Sequence, residues 1–202
     1  MDEIFYEKVN WADSDHSKWL SDNCESLLYE AELSSNSKVL DIGCYEGKWI
    51  SQIYSRYKCK CVGLEPVAKF YNSCQNSVNI TYHNFGLTTK DDYFAPMSIN
   101  QDESKINANG ENAFFKNAKI FFEKYDTVFD LVQMNIEGYE YELIPYMFQN
   151  NLFEYIKSIQ VQFHNISNLI EIKYNNIKKL FEDNNFNTVF DYRFVWSKFT
   201  KE

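Results

Sequence analysis

The stretch from Asp41 to Gly47 contains the residue types best suited to binding a small ligand. Gly43 and Gly47 permit backbone conformations, and a close approach of a ligand, that a side chain would block. Amide groups of such a turn and of a following helix can donate hydrogen bonds to a carboxylate, while Asp41 can accept one from an ammonium. The pattern therefore suits an amino-acid-like ligand.

A second acidic residue, Glu65, follows the apolar run 60–64, which we interpret as a buried strand. Pro66 is suited to the start of the next helix. A right-handed crossover between parallel strands brings their carboxyl ends to the same edge of the sheet, so Asp41 and Glu65 are expected to converge. A carboxylate about 20 positions beyond a glycine turn is suited to binding both hydroxyls of a ribose. Glu65 could instead cap the next helix through its amides.

Two residues at the end of the third predicted strand, 79–84, could contact a nucleobase. Asn84 can hydrogen bond to a nucleobase, and Phe85 can pack against one. These two residues extend the predicted site beyond the ribose. The ligand that fits all three strand ends is an amino acid joined to a nucleoside.

The elements that must hold these residues alternate between strands and helices. Short apolar runs typical of buried strands are separated by segments with apolar residues at helical spacing. The pattern predicts an α/β fold with a mostly parallel central sheet, helices on both faces and a C-terminal antiparallel hairpin. The predicted strands are 38–42, 60–65, 79–84, 129–136 and 157–164, the predicted helices are 17–33, 50–57, 67–77, 137–148 and 170–181, and the hairpin is 186–196.

Two segments lie outside this alternation. Residues 1–37 are interpreted as an N-terminal helical cap, with a helix over 17–33 that covers the sheet or closes over a ligand. Residues 88–112 are polar and lose periodicity, which indicates a substrate loop or an insertion. Pro145 is expected to kink or split its helix. The chain contains no repeat, and residues 1–202 are predicted to form a single domain.

Charge and composition exclude several classes of partner. The 202 residues are 45% hydrophobic and carry a net charge of −9. This charge opposes binding to nucleic acid, and the sequence has no basic cluster interleaved with aromatic residues. The acidic amino terminus and the lack of a long apolar run predict a soluble, cytoplasmic protein without membrane insertion. The aromatic-rich final third is compatible with a homo-oligomer surface.

Four blocks of the chain resemble class I S-adenosylmethionine-dependent methyltransferases, and within them the FkbM family. The blocks occur in order, each at the end of a predicted strand, within roughly residues 36–165. They are Val39–Gly47, Gly63–Pro66, Asp130–Glu140 and Ile159–His164. The resemblance implies a Rossmann-like methyltransferase fold and S-adenosyl-L-methionine as the cofactor, with S-adenosyl-L-homocysteine as its product.

The resemblance also assigns individual residues. It implies that Glu65, followed by Pro66, holds the ribose and that Asn84 and Phe85 lie near the adenine. Asn135 is expected to position the cofactor or the substrate by hydrogen bonds. The methionine part would be held by Asp41, Gly43, Cys44, Tyr45, Glu46 and Gly47.

Two positions depart from the family pattern. Where FkbM-like proteins usually have Asp in the third block and Glu in the last strand, this sequence has Asn135 and Gln162. Divalent metals with oxygen ligands prefer carboxylates, so no metal is expected to assist the reaction. The five cysteines, an odd number without a Cys-x-x-Cys pair, argue against a zinc cluster and against a disulfide framework.

Methyl transfer to an alcohol requires a nucleophile in line with the sulfonium and a base for the hydroxyl proton. His164 is the first candidate for the base, because imidazole titrates near neutral pH and His164 ends a predicted strand. A structural histidine bonded to the backbone is an equal alternative. Glu137 could orient a substrate hydroxyl or stabilise a helix N-terminus. His83 is a weaker candidate, since strand alternation turns it away from the ligand.

The resemblance implies an O-methyltransferase that acts on a hydroxyl of a small polar acceptor, with a saccharide or sugar nucleotide as the leading choice. A methyltransferase with a nitrogen acceptor remains an alternative. A second alternative is a non-catalytic scaffold that binds S-adenosylmethionine and has lost two carboxylates. A nicotinamide dehydrogenase is disfavoured, because the turn 43–47 lacks G-x-G-x-x-G spacing.

Overall fold

The structure, a computed structural model, describes residues 14–98, 110–166 and 169–202. Ten strands form two sheets. They are β1 (Lys38–Ile42), β2 (Lys60–Leu64), β3 (Ile80–His83), β4 (Gly86–Thr88), β5 (Tyr93–Met97), β6 (Glu111–Asn117), β7 (Leu131–Met134), β8 (Ser158–Gln162), β9 (Phe186–Tyr192) and β10 (Trp196–Lys201). The main sheet has seven strands in the order β3-β2-β1-β7-β8-β10-β9.

The central strand β1 pairs in parallel with β2 on one side and with β7 on the other. Its apolar residues Val39, Leu40 and Ile42 are at most 1% exposed, as expected for a parallel strand that is covered on both faces. Strands β3 and β8 extend the parallel part, and β10 pairs antiparallel with both β8 and β9. The predicted α/β fold, with its C-terminal hairpin, is confirmed.

Helices cover both faces of the main sheet. Helix α2 buries Ile50 and Ile53 on the face that carries Val39, whereas α4 to α6 contribute residues such as Phe122 and Phe181 to the opposite core. The helices are α1 (His16–Ser21), α2 (Lys48–Tyr57), α3 (Ala68–Tyr71), α4 (Ala118–Tyr125), α5 (Glu140–Gln149) and α6 (Ile170–Asp183), with 3-10 helices at Cys24–Tyr29 and Leu152–Tyr155. In the described part of the chain, no helix combines the length and apolar character needed to cross a membrane.

The N-terminal segment differs from the single helix predicted over 17–33. Helix α1 and the 3-10 helix Cys24–Tyr29 are separated at Asn23, which adopts a left-handed φ of 53°. Asparagine tolerates this conformation better than most residues, so it ends the first helix. The segment nevertheless covers the sheet, because the Trp19 ring lies 5.1 Å from that of Tyr192 on β9. Residues 1–13 lie outside the described part.

The segment 88–112 is not the irregular loop that its polarity suggests. Strands β4, β6 and β5 form a second, three-stranded sheet, in which β5 pairs antiparallel with β6. Pro96 is tolerated because β5 is an edge strand with a single neighbour. Residues 99–109 of the predicted loop lie outside the described residues, so its role towards a substrate stays a prediction.

Two helices also differ from their predictions. The helix predicted over 67–77 is reduced to α3, because polar side chains after it bond to the backbone instead. Asn76 Oδ1 accepts from the N–H of Tyr82, and Ser77 Oγ accepts from that of Ile80, which favours a turn into β3. Helix α5 runs through Pro145 without being split, so of the two predicted outcomes only the kink stays a prediction.

Candidate functional site at the carboxyl edge of the sheet

The turn after β1 lies directly against the end of β7. Gly43 and Gly47 have φ angles of +83° and +73°, in the left-handed region that favours glycine. A Cβ added to Gly43 would lie 2.0 Å from the carbonyl oxygen of Asn135. The N–H of Asn135 in turn donates to the carbonyl of Ile42 at 3.0 Å. Both its φ angle and this close approach therefore require glycine at position 43.

The backbone amides of the turn point towards the end of β2. The N–H groups of Gly43 and Cys44 donate to the carbonyl of Leu64 at 2.9 and 3.0 Å. The N–H of Tyr45 donates to Oε2 of Glu65 at 2.9 Å. These three amides, predicted from sequence to be available to a ligand carboxylate, instead fix the turn to the neighbouring strand.

The side chains of the turn contact the two helices beside it. The Tyr45 ring packs against Phe70 of α3 with 4.3 Å between ring centroids. Glu46 forms an ion pair with Lys48, the first residue of α2, at 2.9 Å. Cys44 is buried. The conformation of the turn is thus stabilised by α2, by α3 and by the end of β2.

Glu65 joins this turn to the start of the next element. Its Oε1 accepts from the N–H of Val67 at 2.8 Å, and its Oε2 accepts from Tyr45. Burial raises the pKa of Glu65 to about 7, although both amides lower it. The contact with Val67 is the capping interaction considered as an alternative from sequence. Each carboxylate oxygen keeps a second lone pair, so these bonds leave acceptor capacity for a hydroxyl.

The exit of β3 is attached to the same region. Asn84 Nδ2 donates to the carbonyls of Glu65 and Pro66 at 2.9 and 3.1 Å. Phe85 is partly buried and stacks on the His83 ring at 5.5 Å. Asn84 therefore supports the loop that carries Glu65, whereas the Phe85 ring also packs against Phe114 and Phe121.

Asp41 lies inside β1 and is completely buried. Its Oδ1 accepts a hydrogen bond from Gln133 Nε2 on β7 at 3.3 Å. Its Oδ2 accepts none from the described residues. Burial raises the pKa of Asp41 to about 8, the Gln133 hydrogen bond lowers it, and the negative charge of Glu65 raises it. Asp41 thus holds an unused buried acceptor two residues before Gly43.

Asn135 presents a second unused acceptor on the other strand. Its side-chain Oδ1 is buried and has no hydrogen-bond partner in the described ranges. Buried polar atoms are normally paired, because an unpaired acceptor retains its desolvation cost. Two such oxygens, on Asp41 and Asn135, flank the Gly43 turn. An ammonium has three donors and no acceptor, which is the kind of group that such acceptors bind.

His164 lies two residues beyond β8 and is only 4% exposed. Its Nδ1 is 3.0 Å from Oε1 of Glu140, and its backbone N–H donates to the same oxygen at 2.8 Å. Its Nε2 lies 3.6 Å from Oε2 of Glu137. A carboxylate at Nδ1 favours the tautomer with the proton there, which leaves Nε2 as the basic nitrogen. The structure therefore brings together the two predicted candidates, His164 and Glu137.

Glu140 is the residue of this group that was not predicted from the sequence. It is completely buried, and its Oε2 accepts from the N–H of Gly138 at 2.8 Å. The signal was its place three residues after Glu137, where a carboxylate on the first turn of α5 can turn inward. A fully buried acid that contacts a histidine orients the ring rather than binding solvent.

The donor set gives no metal centre in the described ranges, where no group of three or more His, Cys, Asp and Glu side chains could hold an ion. Gln162, the last residue of β8, is half-buried beside the antiparallel strand β10, where it pairs with Trp196. All five cysteines are free thiols.

No protein-family model matches the chain, and no curated protein matches it. Several solved structures match the chain. A magnesium protoporphyrin IX methyltransferase from Synechocystis with bound S-adenosylhomocysteine aligns with a TM-score of 0.51 and 13% identity, over 93% of this chain and 84% of that one.

Fibrillarin from Aeropyrum pernix, solved with natively bound S-adenosyl-L-methionine, aligns with a TM-score of 0.50 and 11% identity, over 89% of this chain and 74% of that one. TrmK from M. capricolum, in complex with S-adenosylhomocysteine, gives the same TM-score of 0.50 and 11% identity, over 88% of this chain and 67% of that one. At identities this low, the structural alignments establish a common architecture alone. The chain has the fold of the class I S-adenosylmethionine-dependent methyltransferases.

Proposed function

We propose that the protein is a methyltransferase that uses S-adenosyl-L-methionine. The observation that carries the proposal is the pair of unpartnered buried oxygens, Asp41 Oδ2 and Asn135 Oδ1, beside the Gly43 turn. Both strands that supply them end at the edge where open α/β sheets bind ligands. The shared fold with cofactor-bound structures supports the same conclusion.

Different site residues are assigned to different parts of the cofactor. Asp41 and Asn135 accept from the ammonium of its methionine part, directly or through a bridging water. Glu65 accepts from the ribose hydroxyls with the lone pairs that its backbone bonds leave. Asn84 and Phe85 lie along the loop beyond it, where the adenine is expected. When bound, the cofactor supplies an electrophilic methyl group on a sulfonium.

The chemistry assigned to the chain itself is proton transfer. Glu140 holds Nδ1–H of His164, so Nε2 is the atom that takes the proton of an acceptor hydroxyl as its oxygen attacks the methyl carbon. Glu137, beside Nε2, binds the acceptor or stabilises the imidazolium that forms. Neither role uses a metal.

The acceptor that we propose is a small polar molecule with a hydroxyl, with a saccharide or sugar nucleotide as the leading class. This choice rests on the resemblance to the FkbM family and on the carboxylates around His164, which can bind hydroxyl donors. An amine acceptor is the second candidate, because the negative charges of Glu137 and Glu140 would also favour a cationic group.

Titration calorimetry with S-adenosylhomocysteine tests the cofactor site. The wild-type protein is expected to bind it, and Asp41→Asn is expected to bind it about tenfold more weakly or worse, because a hydrogen bond to a charged group is lost. A wild-type protein that releases no heat at millimolar ligand contradicts the proposal. Labelled S-adenosylmethionine with panels of sugars, sugar nucleotides and amines then identifies the acceptor, and binding without transfer favours the scaffold alternative.

A further inference from the structure

A row of polar side chains crosses the interior of the main sheet next to Asp41. Gln133 is the register partner of Asp41 on β7, and Gln160 is the register partner of Gln133 on β8, so all three side chains lie on one face. Gln160 Nε2 donates to Gln133 Oε1 at 2.7 Å, and Gln133 Nε2 donates to Asp41 Oδ1 at 3.3 Å. The three residues form one hydrogen-bonded chain.

The far end of this chain is fixed to the backbone. Gln160 Nε2 also donates to the carbonyl of Leu28 at 3.1 Å, in the 3-10 helix that covers this face. The same carbonyl accepts from the Trp49 indole at 2.9 Å. Since a carbonyl only accepts, the amide group of Gln160 must direct its NH₂ towards Leu28 and Gln133.

This anchoring sets the direction of every bond that follows. Gln133 must present its oxygen to Gln160, and its NH₂ is therefore left for Asp41. A donor at Oδ1 partly offsets the effect of burial, which raises the pKa of Asp41 to about 8. It also fixes the plane of the carboxyl group and leaves Oδ2 without a hydrogen bond from the described residues.

Stability alone does not account for this row of buried polar side chains. Gln160 is completely buried and Gln133 is 6% exposed, and buried amides must be fully paired to offset their desolvation. Gln160 Oε1 has no partner among the described residues. Two apolar side chains of similar volume would fill the same positions without that cost.

We propose that Gln133 and Gln160 are positioning residues that orient the Asp41 carboxyl group and so make the site selective for ligands with an ammonium group. The inference rests on the proposed cofactor site and adds to it the source of its selectivity. Neither glutamine contacts the ligand. Their effect is transmitted through Asp41 alone.

Two ligands separate this role from a structural one. S-adenosylhomocysteine carries the ammonium, whereas 5′-methylthioadenosine has the same nucleoside and thioether without the amino-acid group. Calorimetry is performed with Gln133→Met, Gln160→Met and the double variant, because methionine retains the volume of glutamine. Exposed Gln149 on α5 supplies the control variant Gln149→Met.

We expect Gln133→Met to bind S-adenosylhomocysteine about tenfold more weakly or worse, since the Asp41 carboxylate that the ammonium favours loses its donor and its fixed orientation. Gln160→Met is expected to have a smaller effect, because Gln133 remains but is free to rotate. Affinity for methylthioadenosine should stay within about twofold of wild type in all variants. The double variant removes both partners of the Gln133–Gln160 bond but leaves Asp41 Oδ1 without its donor, so it should unfold near the wild-type temperature rather than well above it.

Equal losses for both ligands, or no loss for either, would overturn the inference. A wild-type protein that binds neither ligand refutes the cofactor site itself, and it is measured first. If the double variant unfolds at a lower temperature, the affinities of the single Gln160→Met variant for the two ligands still test the inference, because this variant leaves the Gln133–Asp41 pair in place.

Discussion

The acidity of the site carboxyl groups is set by burial at individual positions. Asp41 has no exposed surface, and the desolvation of its charged form outweighs the Gln133 hydrogen bond. Glu65 accepts from two amides but is also buried, so its pKa is raised as well. Folding therefore favours the protonated form of both groups, and a ligand cation would favour the ionised form.

Asp41 should make the folded protein less stable at high pH. The folded protein keeps the Asp41 proton up to about pH 8, whereas the unfolded chain loses it near 3.8. The free energy of unfolding therefore decreases as pH rises through this window. Asp41→Asn removes this contribution, so its melting temperature should match wild type near pH 4 and exceed it by several degrees near pH 8.5, measured by circular dichroism.

Glu65 serves as the internal reference for that experiment. It titrates in the same direction and is present in both proteins, so its own contribution cancels in the difference except for its electrostatic coupling to Asp41. Equal pH dependence of the two melting temperatures would show that Asp41 ionises normally in the folded protein.

His164 and Glu140 should affect turnover without affecting cofactor affinity. Once an acceptor is known, His164→Ala is expected to lower kcat by about 10²-fold or more, since it removes the base. Glu140→Gln keeps the shape but weakens the orientation of the imidazole, so we expect about tenfold. Steady-state kinetics and calorimetry with S-adenosylhomocysteine measure the two effects separately.

Glu154→Gln, an exposed acid in the 3-10 helix Leu152–Tyr155, is the matched control and should behave as wild type. If kcat is unchanged in His164→Ala, the histidine is structural, as its backbone contact with Glu140 also allows.

At the scale of the elements, the turn after β1 and the end of β7 are a single unit. Gly43→Ala would place a methyl group against the Asn135 carbonyl and hold alanine at positive φ. We expect about 2 kcal/mol or more of destabilisation in urea unfolding, together with loss of S-adenosylhomocysteine binding.

Gly86→Ala provides the comparison, because its new methyl group would meet the side chain of Phe115 and its φ is not left-handed. It should cost less than Gly43→Ala and should not change ligand affinity. The reverse order of the two costs would contradict the assigned role of the turn.

Periodicity in the sequence was sufficient to predict the strands of the main sheet, since the apolar run 39–42 is buried on both faces. It failed where local side chains decide the backbone. Asn23 interrupts a regular apolar stripe, and edge strand β5 has no apolar alternation to reveal it. In each case the determining contact is made by one polar residue or by one neighbouring strand.

The candidate site was predictable to the extent that it follows strand ends. Asp41, Asn135 and His164 come at or near the ends of predicted strands, and the fold brings those ends to one edge. The sequence places Glu140 on the first turn of a helix, but the roles of Glu140 and Gln133 depend on which side chain each one meets in the folded chain. Such pairings are set by register and rotamer, which a single sequence does not display.

At the scale of the whole molecule, the site lies where the order of strand addition reverses, between β1 and β7. From β1 the chain first adds strands on one side and later adds β7 on the other. Ligand crevices form at such points in open α/β sheets. The net charge of −9 opposes the approach of a polyanion such as nucleic acid.

The reaction is expected to proceed without a divalent metal. Asn135 and Gln162 carry amides, which are poorer ligands than carboxylates for Mg²⁺ and Mn²⁺. Turnover should be unchanged after dialysis against EDTA. A loss of activity that added Mg²⁺ or Mn²⁺ restores would show that a metal takes part.

The indole of Trp49 makes the chain of hydrogen bonds observable by nuclear magnetic resonance. It shares the Leu28 carbonyl with Gln160, two side chains away from Asp41. A change in the charge at Asp41 therefore alters the polarisation of the acceptor to which the indole N–H is bound. That N–H resonance is an intrinsic sensor of events at the opposite end of the row, readable without any label near the ligand.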